Sequence, residues 1–148
     1  MNRNSTGNAL MDPGHRSQHR HLRSLFEVNS MNIPQNVRQC IEDCLQCYQV
    51  CTETSAMCLE MGGKHADPGH LTTMHDCAEI CDLAAGFMSR SSEFGSELCG
   101  LCAEICRRCS ESCRELAADG EFMQRCADVC EHCAESCEAI SGKRRRAA

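Results

Sequence analysis

Apolar positions along most of this chain recur at alternating intervals of four and three residues, and cysteine occupies most of them. The pattern is clearest in three runs with the spacing 4, 3, 4, which begin at Cys40, Cys102 and Cys126. This spacing places the members of a run along one side of an α-helix, where a bundle normally buries Leu or Ile. We therefore predict amphipathic helices whose buried side is lined with thiols.

Helix-breaking residues divide the patterned region into four segments. Pro34 suits a first helical turn, Gly62-Gly63 suits a stop, and Asp67-Pro68 suits an N-cap followed by the first helical residue. Asp119-Gly120 and Gly142 mark two further boundaries. Since the connections are short, we predict an all-α, antiparallel up-down-up-down four-helix bundle over residues 33–142, with a cysteine-lined core. The predicted helices are A (34–61), B (68–90), C (93–118) and D (121–141).

An internal repeat supports this division into four helices. Each helix carries one copy of a unit in which two cysteines flank a small or apolar residue, an acidic residue and one further residue. Helix B departs from the others because it carries only two cysteines. Its stripe, read in the same register, is His70, Met74, Cys77, Cys81, Ala84 and Met88.

The two ends of the chain differ from the patterned region. Residues 1–32 contain no cysteine and include three histidines, so we predict an N-terminal extension that is flexible or loosely docked; a metal-collecting arm is the alternative. Residues 143–148 form a basic tail, which we expect to be solvated and to complement the dipole of helix D. No aromatic platform accompanies this tail, so nucleic-acid binding is the minor interpretation.

Charge and composition narrow the class of protein. The 148 residues carry a formal net charge of −6, which disfavours a general nucleic-acid binder. No stretch approaches the length of about 20 apolar residues that a membrane span requires. The N-terminal residues lack the apolar region of a secretory signal, so we expect a cytoplasmic location. Because that compartment keeps thiols reduced, a disulfide framework is disfavoured.

The number of thiols points to metal binding, and several metals compete. Pairs of cysteines separated by two residues fit a zinc motif, but here they arise inside helices from the helical period. The clustered cysteine run that is typical of iron–sulfur proteins is absent from the sequence. A di-iron carboxylate enzyme would need Glu-x-x-His pairs, and the chain has none. A zinc or cadmium buffer of the metallothionein type and an iron–sulfur redox protein remain as alternatives.

A charge argument favours copper(I) among these metals. A thiol binds metal only as thiolate, and many uncompensated thiolates inside a bundle would be prohibitive. When one Cu⁺ replaces one H⁺ at each sulfur, the charge of the core does not change, whereas Zn²⁺ held by four thiolates leaves −2 at each site. Soft Cu(I) suits thiolate and thioether ligands, and about one ion per cysteine is expected. That capacity indicates storage without catalysis. The candidate ligands are Cys40, Cys44, Cys47, Cys51, Cys58, Cys77, Cys81, Cys99, Cys102, Cys106, Cys109, Cys113, Cys126, Cys130, Cys133 and Cys137.

With these cysteine stripes and the repeated Cys-Ala-Glu-Ile-Cys units, the chain resembles the four-helix-bundle copper storage proteins over residues 33–142. Without an export signal it looks like the cytosolic type of that family. The resemblance implies Cu(I) bound by the core cysteines and a homotetramer of bundles. The stripe of helix B departs from the all-cysteine pattern at His70 and Met74.

One end of the predicted bundle is a candidate entry for copper. The end of helix A, the start of B, the end of C and the start of D meet there, and thioether and imidazole side chains concentrate around them. Met61, His70 and Met74 continue the stripes and are the best candidate ligands. An equally weighted interpretation is that methionine fills the end of the bundle and the histidines are ordinary loop residues.

Overall fold

The computed structural model describes residues 33–145 of the chain, with side chains described as far as residue 142. The predictions made for residues 1–32 lie outside this range. The regular structure of the described residues is entirely helical, which confirms the predicted fold class. Its elements are α1 (Gln35–Met61), a 3₁₀ turn (Gly63–Ala66), α2 (Pro68–Ser89), α3 (Gly95–Glu115), a second 3₁₀ turn (Ala117–Asp119) and α4 (Glu121–Arg145).

The first loop forms as the sequence predicts. Gly62 adopts a positive φ of 69°, and its N–H donates to the carbonyl of Cys58, which ends α1. The side chain of Asp67 accepts a hydrogen bond of 3.0 Å from the N–H of His70. Pro68 occupies the first helical position, where the missing N–H costs nothing. The end of α1 at Gly62 and the cap at Asp67 fix where α2 begins, and therefore which of its side chains face the core.

Three predicted boundaries need correction. The third helix begins at Gly95 rather than 93, because the Ser92 side chain accepts a hydrogen bond from the N–H of Phe94 in the preceding turn. It ends at Glu115, and the 3₁₀ turn takes up the residues that were predicted to prolong it. The fourth helix continues through Gly142 to Arg145, so Gly142 is not its stop and part of the basic tail is helical. A glycine inside a helix costs about 1 kcal/mol relative to alanine but does not forbid the helix.

The helices form a closed ring of neighbours. Each packs against the next one in the chain, and α1 also packs against α4. Within residues 33–145 the diagonal pairs make no comparable contacts. A central column enclosed by four walls results from this arrangement. None of the described helices is both long and apolar enough to cross a membrane.

The wall between α3 and α4 is the tightest. Small side chains line it on both helices, and the buried hydroxyl of Ser110 donates to the carbonyl of Ala127 at 2.8 Å. A Cβ at Gly100 would lie 2.9 Å from the hydroxyl of Ser141, so the two helices approach more closely there than alanine permits without adjustment. This close approach brings the cysteine stripes of α3 and α4 side by side.

Candidate metal centre

All sixteen cysteines point into the centre of the bundle. Each has a relative exposure of 0%, and each is a free thiol rather than half of a disulfide. The 4-3-4 spacing therefore produces the convergence predicted from sequence, because all four stripes face the same axis. We call the set of sixteen side chains the thiol column.

Sulfur atoms of the column lie within hydrogen-bonding distance of one another across different helices. At one end, the Sγ of Cys137 lies 3.6 Å from that of Cys40 and 3.4 Å from that of Cys44. In the middle, the sulfur atoms of Cys81 and Cys106 are 3.5 Å apart. Similar contacts join α1 to α2, where Cys47 and Cys77 are 3.8 Å apart, and α2 to α3, where Cys77 and Cys106 are 3.6 Å apart, so these sulfurs form a network of close neighbours rather than isolated pairs.

The thiol column contains several groups of four sulfur atoms, each atom within 4.8 Å of the other three. These groups share members: Cys130 belongs to one group with Cys47 and to another with Cys109. Five of the groups are Cys44/Cys102/Cys133/Cys137, Cys47/Cys51/Cys77/Cys130, Cys47/Cys77/Cys81/Cys106, Cys51/Cys109/Cys126/Cys130 and Cys81/Cys102/Cys106/Cys133.

Sharing of sulfurs between groups restricts the metal chemistry. A structural zinc site closes a tetrahedron around one ion with its own four ligands. Two zinc ions in overlapping groups would have to share thiolates. If each ion instead had four thiolates of its own, every filled tetrahedron would leave a charge of −2 in a buried position. A monovalent soft ion that accepts bridging thiolates suits overlapping groups better, because one such ion per sulfur balances the negative charge of each thiolate.

The protons of the column are coupled as well. Hydrogen bonding with Cys106 lowers the pKa of Cys102 to about 3, whereas hydrogen bonding with Cys102 raises the pKa of Cys81. One thiolate is thus favoured by neighbouring S–H donors, and its charge opposes ionisation of the next thiol.

Each end of the thiol column meets a thioether. Cys99 donates toward the Sδ of Met88 at 3.4 Å, while Cys58 donates toward the Sδ of Met123 at 3.7 Å. The end at Cys58 also holds an imidazole, since the Nε2 of His70 lies 3.8 Å from the sulfur of Cys58. One end of the column is therefore terminated by sulfur alone and the other by sulfur and nitrogen.

A hydrogen bond on the side of the ring away from Cys58 orients the imidazole of His70. Its Nδ1 lies 2.7 Å from the hydroxyl of Ser112 on α3. Burial lowers the pKa of His70, which keeps the ring neutral near pH 7. When Nδ1–H donates to the hydroxyl, the lone pair of Nε2 faces Cys58. A neutral imidazole with that orientation is a competent metal ligand.

The structure separates the three non-cysteine ligands predicted from sequence. His70 contacts the thiol column, as described above. Met74 is fully buried in the wall between α1 and α2, whereas Met61 is 51% exposed at the end of α1. Met123 is one of the thioethers that the sequence places at this end, but it was not among the best candidate ligands, and Ser112 was not predicted at all. Met123 continues the stripe of α4 upstream of Cys126, a signal that could have identified it, but the contact of Ser112 depends on how α2 and α3 meet.

The comparison with known proteins agrees with this geometry. A family model described as copper storage protein matches residues 33–142. The chain belongs to the copper storage protein family. The matched residues include all four cysteine stripes, so the resemblance to copper storage proteins seen in the sequence is confirmed.

Solved copper storage proteins share the fold. The Cu(I)-bound copper storage protein BsCsp3 of Bacillus subtilis is 36% identical, with a TM-score of 0.67; the alignment covers 72% of this chain and 99% of that one. A protein of Streptomyces lividans, described as a cytosolic copper storage protein and solved with five coppers, is 27% identical with a TM-score of 0.64. That alignment covers 73% of this chain and 93% of the other.

A curated relative in Bacillus subtilis, the uncharacterized cysteine-rich protein YhjQ, is 39% identical over 64 residues, which are 43% of this chain. The matched region spans 59% of the length of that relative.

Proposed function

We propose that this chain stores Cu(I) in the thiol column, at about one ion per cysteine, and that it does so without catalytic turnover. The observation that carries the proposal is the burial of sixteen uncrosslinked thiols in overlapping groups of four. Sixteen protons can leave and sixteen monovalent cations can enter with no change in the charge of the core. The Cu(I)-bound state of BsCsp3 supports the same cargo here.

The end of the bundle at Cys58 is the proposed entry for copper. The predicted ligands Met61, His70 and Met74 lie on this half of the bundle, and Met123 joins them. Met61 is the outermost of them, and His70 sits directly against the first thiol of the column. Thioether and imidazole need no deprotonation near neutral pH, so they can receive an ion and pass it to a thiolate.

A cytoplasmic location and a homo-oligomer, in the form of a tetramer, complete the proposal. The description of the Streptomyces lividans protein as cytosolic supports the location. Leu45 and Tyr48 on α1 are exposed, as is Leu101 on α3, and these side chains offer apolar area for contacts between copies.

Anaerobic titration of the fully reduced chain tests the storage function. Cu(I) should saturate near one equivalent per thiol and give a colourless product. Zinc saturating near one equivalent per four thiols, with weak Cu(I) uptake, would favour the metallothionein-type buffer instead. A brown protein containing iron and sulfide would favour the iron–sulfur alternative.

A second experiment addresses the entry. Replacing His70 and Met74 with Leu should slow Cu(I) uptake in stopped-flow mixing while leaving the final capacity nearly intact. Replacing Leu83 with Ala is a matched control that removes an exposed apolar side chain from α2. An unchanged rate of Cu(I) uptake in the double variant would show that these residues do not act as the entry, and it would leave the storage function standing.

A further inference from the structure

A cleft with a volume of about 240 Å³ opens in the wall between α1 and α2, about halfway along the thiol column. We call it the α1–α2 cleft. Two small, buried side chains, Ser55 and Ala78, leave space on its lining. Its lining residues are Tyr48, Cys51, Thr52 and Ser55 from α1 and Met74, His75, Ala78 and Glu79 from α2.

The cleft reaches the most connected part of the column. Cys51, on its lining, has a sulfur atom 3.5 Å from that of Cys130 and 3.9 Å from that of Cys126. It belongs to two of the groups of four sulfurs. The route from the end at Cys58 to the same point is less direct, because α1 presents the buried hydroxyl residues Thr54 and Ser55 where its stripe lacks a thiol.

Met74 belongs to the buried part of the cleft lining, as Cys51 does. Both Met74 and Cys51 have 0% exposure, so the inner face of the cleft is closed. Methionine has three rotatable bonds and a soft thioether, so Met74 is the side chain of this lining best suited to move aside. Outside it, His75 and Glu79 are exposed on the rim. Donor groups thus change from imidazole and carboxylate at the rim to thioether and then thiol inside.

The geometry points to the α1–α2 cleft as a side port at which a low-molecular-weight thiol takes Cu(I) from the column, with Met74 as the movable gate. This inference rests on the proposed storage function. The cleft has room for one small molecule and is too narrow for a folded partner. In the exchange, the thiol RSH forms an S–Cu bond while the bond from copper to the Cys51 thiolate breaks. The proton of RSH moves to Cys51, and copper stays in the +1 state throughout.

Thiol labelling of the full reduced apo chain tests access to Cys51. A brief pulse of methyl methanethiosulfonate, followed by tandem mass spectrometry, should modify Cys51 well before its column neighbours Cys47 and Cys130. Ala78→Leu fills the cleft and should lower the labelling rate of Cys51 at least several-fold, with labelling of Cys58 unchanged. Ser55→Val fills it from α1 and serves as the second variant if Ala78→Leu fails to fold. Equal rates at all three cysteines, or no effect of a folded filling variant, would overturn the port.

Copper release provides the functional readout. The copper-loaded full chain is mixed with excess L-cysteine, and the loss of protein-bound Cu(I) is followed. Either filling variant should release copper several-fold more slowly than the parent while binding the same total. Leu83→Ala is the matched control, since it removes an exposed apolar side chain of α2 outside the cleft lining and should leave both copper release and labelling of Cys51 unchanged. Release at the parental rate with full capacity overturns the port and leaves storage standing, whereas loss of capacity in the parent chain would sink the storage function itself.

Discussion

The sulfur atoms of Cys51 and Cys130 lie 3.5 Å apart, and this pair is common to two of the four-sulfur groups in the column. One group extends from the pair toward Cys47 and Cys77, the other toward Cys109 and Cys126. An ion bound at the pair is therefore a neighbour of ions on both sides. The position of a cysteine within this network, and not only its presence, should determine how much copper its loss removes.

Cys130→Ser should therefore reduce capacity by more than one ion, because it breaks two overlapping groups. Cys99→Ser, at the end of the column beside Met88, should cost about one ion, since few groups depend on it. Serine keeps the size of the side chain but is a poor ligand for Cu(I). Anaerobic titration with metal analysis of the saturated protein measures both. Equal losses in the two variants would mean that each thiol binds independently.

The hydroxyl of Ser112 should control uptake without binding copper. Its 2.7 Å contact with Nδ1 of His70 sets the orientation of the imidazole toward Cys58. Removing such an outer partner lowers metal affinity or activity on the order of 10-fold or more. We expect Ser112→Ala to slow Cu(I) uptake to that extent, and Ser112→Thr to restore it.

Ser110→Ala is the matched control for this prediction. Ser110 lies on the same helix, but its hydroxyl bonds the carbonyl of Ala127, so its loss should reduce stability and leave uptake unchanged. Capacity should be equal in all three variants. If Ser112→Ala takes up copper as fast as the parent, the orientation of His70 has no influence on entry.

Much of the fold and of the site could be predicted from the sequence because the information is local. The alternating spacing of four and three residues predicts which side of each helix is buried. Gly62, Asp67 and Pro68 mark the ends of helices by their own backbone preferences. Convergence of the thiols follows from these two facts and from short loops. The same reasoning failed at Gly142, because a helix tolerates a single glycine at a cost of about 1 kcal/mol and α4 continues through it.

The outer ligands were harder to predict because the period of an ideal helix is not 3.5 residues. A stripe with a strict seven-residue repeat drifts by about 20° per heptad. Met61 lies three heptads after Cys40, and at the open end of the bundle it is half exposed rather than aligned with the column. The partnership of His70 with Ser112 joins two helices, and nothing in either local sequence encodes it.

The close approach at Gly100 gives a prediction about stability. Alanine is favoured over glycine in a helix by about 1 kcal/mol, but its Cβ would meet the Ser141 hydroxyl at 2.9 Å. In the parent chain these effects should offset each other, so that Gly100→Ala changes the free energy of unfolding little. In a Ser141→Gly background the same change should stabilise by about 1 kcal/mol. Urea unfolding of the parent, the two single variants and the double variant, all reduced and metal-free, gives the coupling free energy between positions 100 and 141. Additive effects would show that the wall between α3 and α4 relaxes freely.

The stability of the metal-free chain should fall at alkaline pH through Cys58. Burial, with a smaller contribution from Cys126, raises the pKa of this thiol in the folded state. The stabilising contribution is then complete below the pKa of the unfolded thiol, about 8.5, and is lost as pH rises toward the folded pKa. The difference in unfolding free energy between the parent and Cys58→Ser should shrink above that pH, by no more than about 1.4 kcal/mol per pH unit.

Anaerobic urea unfolding at pH 7.5, 8.5 and 9.5 provides the measurement. Copper loading supplies the internal control, because a copper-bound thiolate has no proton to lose and the pH dependence assigned to Cys58 should disappear. Parallel pH profiles for the metal-free parent and Cys58→Ser would contradict the assignment. They would mean that the thiol at the entry of the column ionises as easily in the folded chain as in the unfolded one.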